Sequence, residues 1–156
     1  RLNEQYQLLK IARKKLVIFT LLNFAFGKKM KQTFPKKEHL KRKKLLDALF
    51  STGKKASAYP LLLFYVETPL PEKNIAIQAG VSVAKRNHKI AVTRNRIKRL
   101  MREVYRKNKT QFQTNDKTFA FMFIYTGREV VTIEELDKAM LKLAEKFNKR
   151  HLPENP

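Results

Sequence analysis

The segment Thr118–Tyr125 sets the terms for any fold this chain can adopt. Phe119, Phe121, Phe123 and Tyr125 alternate with Ala120, Met122 and Ile124, so both faces of an extended chain are apolar, the pattern of an interior strand. A chain that contains such a strand must build a sheet around it. Two more strands are expected at Leu61–Val66 and Asn74–Val83, separated by the turn Thr68-Pro69-Leu70-Pro71. In the second, Ile75, Ile77, Ala79, Val81 and Val83 share one face, and the other face, with Ala76, Gln78, Gly80, Ser82 and Ala84, is small and polar. A face of that kind admits close approach by a ligand or by another backbone; both readings stay open.

Three segments carry helical periodicity. From Lys36 to Phe50 the apolar positions Leu45, Leu46, Leu49 and Phe50 recur at i, i+3 and i+4, and Ser51-Thr52-Gly53 supplies a stop. From Ile90 to Lys107, Ile97, Leu100, Met101 and Val104 fall within one sector of about 100°, while Asn95, Lys98, Arg99, Arg102 and Arg106 fall within the opposite one. Thr132-Ile133-Glu134-Glu135 is a capping box, and it opens a last helix with Ile133, Leu136, Met140, Leu143 and Phe147 on one face. The order is therefore helix, two or three strands, helix, strand, helix: an α+β sandwich of helices on one sheet.

The chain has 156 residues, about one domain. We expect that domain at 30–150, followed by a flexible polar tail at 151–156. Residues 1–29 differ in character, because an eleven-residue apolar run, Leu16–Phe26, lies between Arg13-Lys14-Lys15 and Lys28-Lys29. It falls short of the roughly 20 residues that span a membrane, and no stable membrane association is expected. Three readings of this extension remain: sequence upstream of a natural start at Met30, a basic helix at a membrane surface, or an ordinary extension.

Several chemistries are excluded by what the sequence lacks. There is no cysteine, which removes disulfides, thiolate metal sites and a cysteine nucleophile and is compatible with a cytoplasmic protein. His39, His88 and His151 are far apart, with no i, i+4 pairing, so a zinc hydrolase motif is missing. The glycines at 27, 53, 80 and 127 assemble no phosphate loop and no nucleophile elbow.

Charge points to the partner. Thirty-five Lys and Arg stand against thirteen Asp and Glu, a formal net charge of +22, and a surplus of that size favours a polyanion. Lys85–Lys109 holds eleven cations in 25 residues, opposed only by Glu103. Lys98/Arg102 and Arg102/Arg106 are like-charged pairs at i, i+4, each destabilising by about 0.2–0.5 kcal/mol unless an anion neutralises them. Arginine predominates on this face, and its planar fork suits phosphate oxygens. Asn95 is placed either to read a base edge or to cap the helix. With strands before and after, the helix has no helix-turn-helix partner, and RNA is favoured over DNA.

Gly80-Val81-Ser82-Val83-Ala84-Lys85-Arg86, followed by Ala91-Val92-Thr93-Arg94-Asn95-Arg96-Ile97-Lys98-Arg99-Leu100-Met101-Arg102-Glu103, resembles the signature of the protein subunit of bacterial ribonuclease P. The similarity includes Leu45-Leu46-Asp47-Ala48-Leu49-Phe50 with Gly53 and runs from about Thr33 to the last helix. The loop Lys85–Ile90 departs from it in having no glycine where many members have one. The resemblance implies a ribosomal-protein-like α+β fold with a left-handed βαβ crossover. It further implies an endoribonuclease whose RNA subunit, with Mg²⁺ bound mainly through that RNA, removes the 5′ leader of precursor tRNA. By matching positions it assigns Arg94, Asn95, Arg96, Lys98, Arg99 and Arg102 to the catalytic RNA, and the surrounding cationic stretch adds Lys85, Arg86, Lys89 and Arg106. The cleft between the first helix and the sheet, which takes the leader in the family, suggests Phe50, Tyr65 and Ser82. Phe50 is equally open to being core. The alternative is a structural RNA-binding protein of ribosomal or assembly-factor type with no nuclease role.

Overall fold

A computed structural model describes residues 33–151, together with Gln7. The chain divides into two units, Arg1–Gln32 and Thr33–Pro156. The expectations for the extension 1–29, for Met30 and for residues 152–156 lie outside the described residues; the backbone of His151 closes the last helix.

The predicted interior strand is the hub. Strand β1 (Lys54–Ala58), β2 (Leu61–Glu67), β3 (Ile77–Val83) and β4 (Phe119–Tyr125) form one sheet in the order β1-β2-β4-β3. β4 pairs antiparallel with β2, Leu63 opposite Phe123, and parallel with β3, Ala79 opposite Phe121. A parallel pair needs a crossover, and helix α2 (Ala91–Asn108) lies within it, so β3-α2-β4 is a βαβ unit. Helix α1 (Lys43–Thr52) precedes the sheet, and α3 (Ile133–His151) follows it.

Parity along β2 and β4 sorts the side chains into two cores. Leu61, Leu63 and Tyr65 with Phe119, Phe121, Phe123 and Tyr125 pack under Ile97, Met101, Val104 and Tyr105 of α2 and Leu136, Met140, Leu143 and Phe147 of α3. On the other face Ala120 and Met122 meet Leu40 and Leu49, with Leu45, Leu46, Phe64, Val66 and Ile124 at the margin. The expected helices on one sheet thus occupy both of its faces, with α1 the described helix that packs on the second.

Local chemistry explains the boundaries. Thr132 and Glu135 make the expected reciprocal bonds, Glu135 N–H to Thr132 Oγ1 at 3.3 Å and Thr132 N–H to Glu135 Oε2 at 3.1 Å. α1 stops where predicted: the Ser51 hydroxyl donates to Asp47 O at 2.8 Å and the Thr52 hydroxyl to Ala48 O at 2.9 Å. A Cβ at Gly53 would lie 2.1 Å from Leu49 O, so the stop requires glycine. The start differs from expectation. Lys36–Glu38 is one turn of 3₁₀ helix and the chain then extends, because His39 bridges Ala79 and Leu40 N–H donates to Ala79 O at 3.0 Å. Pairing with the edge of β3 replaces the first turns of the predicted helix. β3 likewise begins three residues later than expected, since Asn74 has a φ of 64° and makes a turn.

Candidate nucleic-acid interface

α2 buries Ile97, Met101, Val104 and Tyr105 and so turns its cationic side outward. Asn95, Arg96, Arg99 and Arg102 are exposed, and Lys98 is half-buried at the border. Asn95 is not a cap, because the N-cap position falls on Ile90; of its two readings, the outward-facing amide is the one the helix permits. Two other arginines are engaged internally. Arg94 Nη1 donates to His88 O and Lys89 O, both at 2.8 Å, fastening the loop ahead of the helix. Arg106 forks onto Glu103, Nη2 to Oε1 at 2.6 Å and Nε to Oε2 at 3.0 Å. This hydrogen bond holds the Glu103 carboxyl below its ordinary value and raises Arg106. Glu103 thereby offsets the repulsion along the stripe at its C-terminal end, leaving Arg96, Arg99 and Arg102 as its outward charges.

The loop Lys85–Ile90 extends this cationic surface. Lys85, Arg86 and Lys89 are exposed. Because β3 and β4 are parallel and end together at Val83 and Tyr125, the loops that follow them lie side by side, and Arg86, Asn87, Thr126 and Arg128 line an open groove of about 560 Å³. Arg128 was missed from the sequence, since only the strand pairing brings it beside Arg86.

His88 holds these loops together. Its ring is buried, with Nε2 2.8 Å from Gly127 O and its centroid 5.7 Å from that of Tyr125. We expect His88→Ala to lower stability by roughly 1–3 kcal/mol, since it leaves a buried carbonyl unpaired. The thermal midpoint of the free protein checks this: a variant as stable as wild type would show that the ring does not tie the two loops together.

The residues suggested for a leader cleft separate between two faces. Phe50 is 57% exposed, so it is not core; its ring meets that of Phe64 edge-on at 5.3 Å. Lys55 Nζ stands 5.1 Å from the Phe64 centroid, within cation–π range. Ser82, half-buried opposite Ile124, lies on the same face. Tyr65 does not. It is 1% exposed, shares its parity with Leu61 and Leu63, and packs edge-on against Phe147 at 5.2 Å under α3. The aromatic that β2 contributes beside Phe50 is Phe64, its neighbour in sequence. The small polar face of β3 is packed over its first half: Gln78 is buried and donates to Lys37 O at 3.0 Å, and a Cβ at Gly80 would lie 2.9 Å from Met122 Cε. Close approach by protein accounts for Gln78 and Gly80, and Ser82 further along is half-buried.

Among the described residues no group of three or more His, Asp or Glu is placed to hold a metal ion, and no helix is long and apolar enough to cross a membrane.

Comparison with known proteins agrees with this arrangement. The sequence model of the ribonuclease P family matches residues 34–148. The ribonuclease P protein component of Petrotoga mobilis is 36% identical over 111 residues, covering 71% of this chain and 87% of that protein. The component of Chlorobium phaeobacteroides is 43% identical over 81 residues, 51% of this chain, and the match spans only 56% of that relative. The solved ribonuclease P protein of Thermotoga maritima superposes with a TM-score of 0.57 at 20% identity, covering 69% of this chain and 96% of that one. That of Staphylococcus aureus gives 0.56 at 18%, covering 70% and 94%. At such identities the two structures establish a shared fold, and the family match over most of the sequence establishes descent: the chain belongs to the ribonuclease P protein family.

Proposed function

We propose that the chain acts as the protein subunit of a ribonuclease P, binding the catalytic RNA through α2 and the 5′ leader of precursor tRNA through the α1 face of the sheet. The observation that carries this reading is the outward stripe of Asn95, Arg96, Arg99 and Arg102, held rigid by a helix whose other side is buried. A fixed row of guanidinium groups suits a phosphate backbone. On the α1 face Phe50 and Phe64 offer ring surface, and Lys55 offers charge beside it, the combination that unpaired nucleotides need. Family membership favours this reading over a structural RNA-binding protein without a nuclease role.

In this reading the cleavage chemistry belongs to the RNA. Mg²⁺ in this reading is bound mainly through the RNA subunit, and no step is assigned to a metal in this chain; among the described residues no group of three or more His, Asp or Glu is placed to hold one. The protein's part is electrostatic and positional. It screens the repulsion between two polyanions and holds the leader in line, in the cytoplasm, where precursor tRNA and the RNA subunit would meet it.

Leader dependence tests the reading. Holoenzyme reconstituted with Phe50→Leu, which retains much of the apolar volume, should bind precursor tRNA at least about fivefold more weakly, because base–aromatic stacking contributes roughly 1–3 kcal/mol. Its affinity for mature tRNA and its thermal midpoint should be unchanged. Equal losses on both RNAs would contradict leader binding at this face.

A further inference from the structure

A second cationic groove lies on the far edge of the sheet from α2. It is lined by Lys55, Ala56, Ser57 and Leu62 on the sheet and by Lys146, Lys149 and Arg150 of α3, and its volume is about 590 Å³. The lining contains no carboxylate. Lys55, Ser57 and Leu62 belong to the α1 face by their pairing, Lys55 opposite Phe64 and Ser57 opposite Leu62, whereas α3 covers the other face. The groove therefore wraps over β1 from one face of the sheet to the other. Lys55 belongs to both regions, standing over the Phe64 ring at one end and lining the groove at the other.

The edge is also closed to strand addition. Lys146 Nζ donates to Ser57 O, and Arg150 Nη1 donates to Lys55 O at 2.5 Å and to Tyr65 Oη at 3.3 Å. With those carbonyls occupied, an extended peptide or a second copy of β1 finds no free ladder there. What remains is an apolar floor at half-buried Leu62, rimmed by ammonium and guanidinium groups, while Ala56 is buried in the core under α3. Nucleobases fit such a floor and phosphates such a rim.

We propose that this groove carries the distal part of the leader: single-stranded RNA that leaves the Phe50–Phe64 surface passes Lys55, crosses β1 and runs against Lys149 on α3. This rests on the assignment of the leader to the α1 face. It makes affinity depend on leader length, with the β1 edge engaged only once the leader outruns the cleft.

The test uses reconstituted holoenzyme and two precursor tRNAs, with leaders of about 4 and about 16 nucleotides, the span of typical single-strand sites. Lys149 is exposed, so Lys149→Ala should leave the thermal midpoint in place. In a salt titration it should lower the log-log slope of binding by about 0.7 with the long leader, one single-strand phosphate contact, and leave the short-leader slope unchanged. Lys149→Glu should weaken long-leader binding further. Equal changes on both leaders, or none on either, would overturn the proposal while leaving the cleft intact. Phe50→Leu, run in parallel, separates the two claims: if it fails to distinguish precursor from mature tRNA, the leader assignment itself falls and the edge path falls with it.

Discussion

Replacing Arg96, Arg99 and Arg102 together with Ala should flatten the salt dependence of binding to the catalytic RNA. Each phosphate contact contributes roughly 0.7 to 0.9 to the log-log slope, so three should remove about 2.1 to 2.7. The advantage of wild type over the variant should then shrink about 20- to 40-fold between 50 and 200 mM salt, which follows from raising a fourfold salt change to that power. The three side chains are exposed on one side of α2, and alanine is the best helix former. Removing them also relieves the Lys98/Arg102 and Arg102/Arg106 repulsion, so the thermal midpoint of the free protein should hold or rise slightly. Arg94 and Arg106 are the contrast. Arg94 fastens the preceding loop and Arg106 binds Glu103, so replacing either should affect local structure as well as RNA binding. An unchanged slope in the triple variant would remove α2 from the RNA interface.

The parts of this interface that were legible in the sequence are those set by local periodicity. α2 was expected at Ile90–Lys107 and is found at Ala91–Asn108, because 18 residues of apolar and cationic alternation at helical period admit no other face. The capping box placed the start of α3 for the same reason: its signal lies within four residues. What stayed illegible depends on pairing. Every position of Leu61–Val66 is apolar, so nothing in the sequence said which residues face α3 and which face α1, and the aromatic on the open face is Phe64 where Tyr65 was expected. β1 reads Lys54-Lys55-Ala56-Ser57-Ala58, two cations and three small residues with weak strand preference; the hairpin with β2 makes it a strand, and with it the Lys55 contact becomes visible. The lost first turns of α1 follow the same logic. Leu40 is worth more buried against Met122 and bonded to Ala79 than in a helical turn whose other residues, Lys36, Lys37, Glu38, His39, Lys41 and Arg42, are all polar or charged.

Phe147→Ala should be among the most destabilising single substitutions in the described part of the chain. The ring has no exposed surface, and its centroid lies 5.0 Å from Phe121, 5.1 Å from Phe119, 5.2 Å from Tyr65 and 5.8 Å from Phe112, mostly edge-on. Truncating a buried Phe costs about 3–5 kcal/mol. Edge-on ring pairs are worth about 0.5–1.5 kcal/mol each beyond their area, which puts this site toward the upper end. Against a domain stability of about 5–15 kcal/mol, the urea midpoint should fall by a third or more with the slope of the transition unchanged. Phe147→Leu keeps an apolar filling and should lose much less. The α2 stripe packs through other residues, so the folded fraction of Phe147→Ala should bind the catalytic RNA normally. RNA that binds only the folded state adds about 2.7 kcal/mol at a concentration of 100 Kd, enough to recover more than half of the loss. Cleavage activity should accordingly be restored by excess RNA while the free protein remains unstable. If excess RNA left the variant inactive under conditions where it is folded, α3 would be taking part in the interface directly, and its role in presenting Lys146, Lys149 and Arg150 over the β1 edge would be the first to examine.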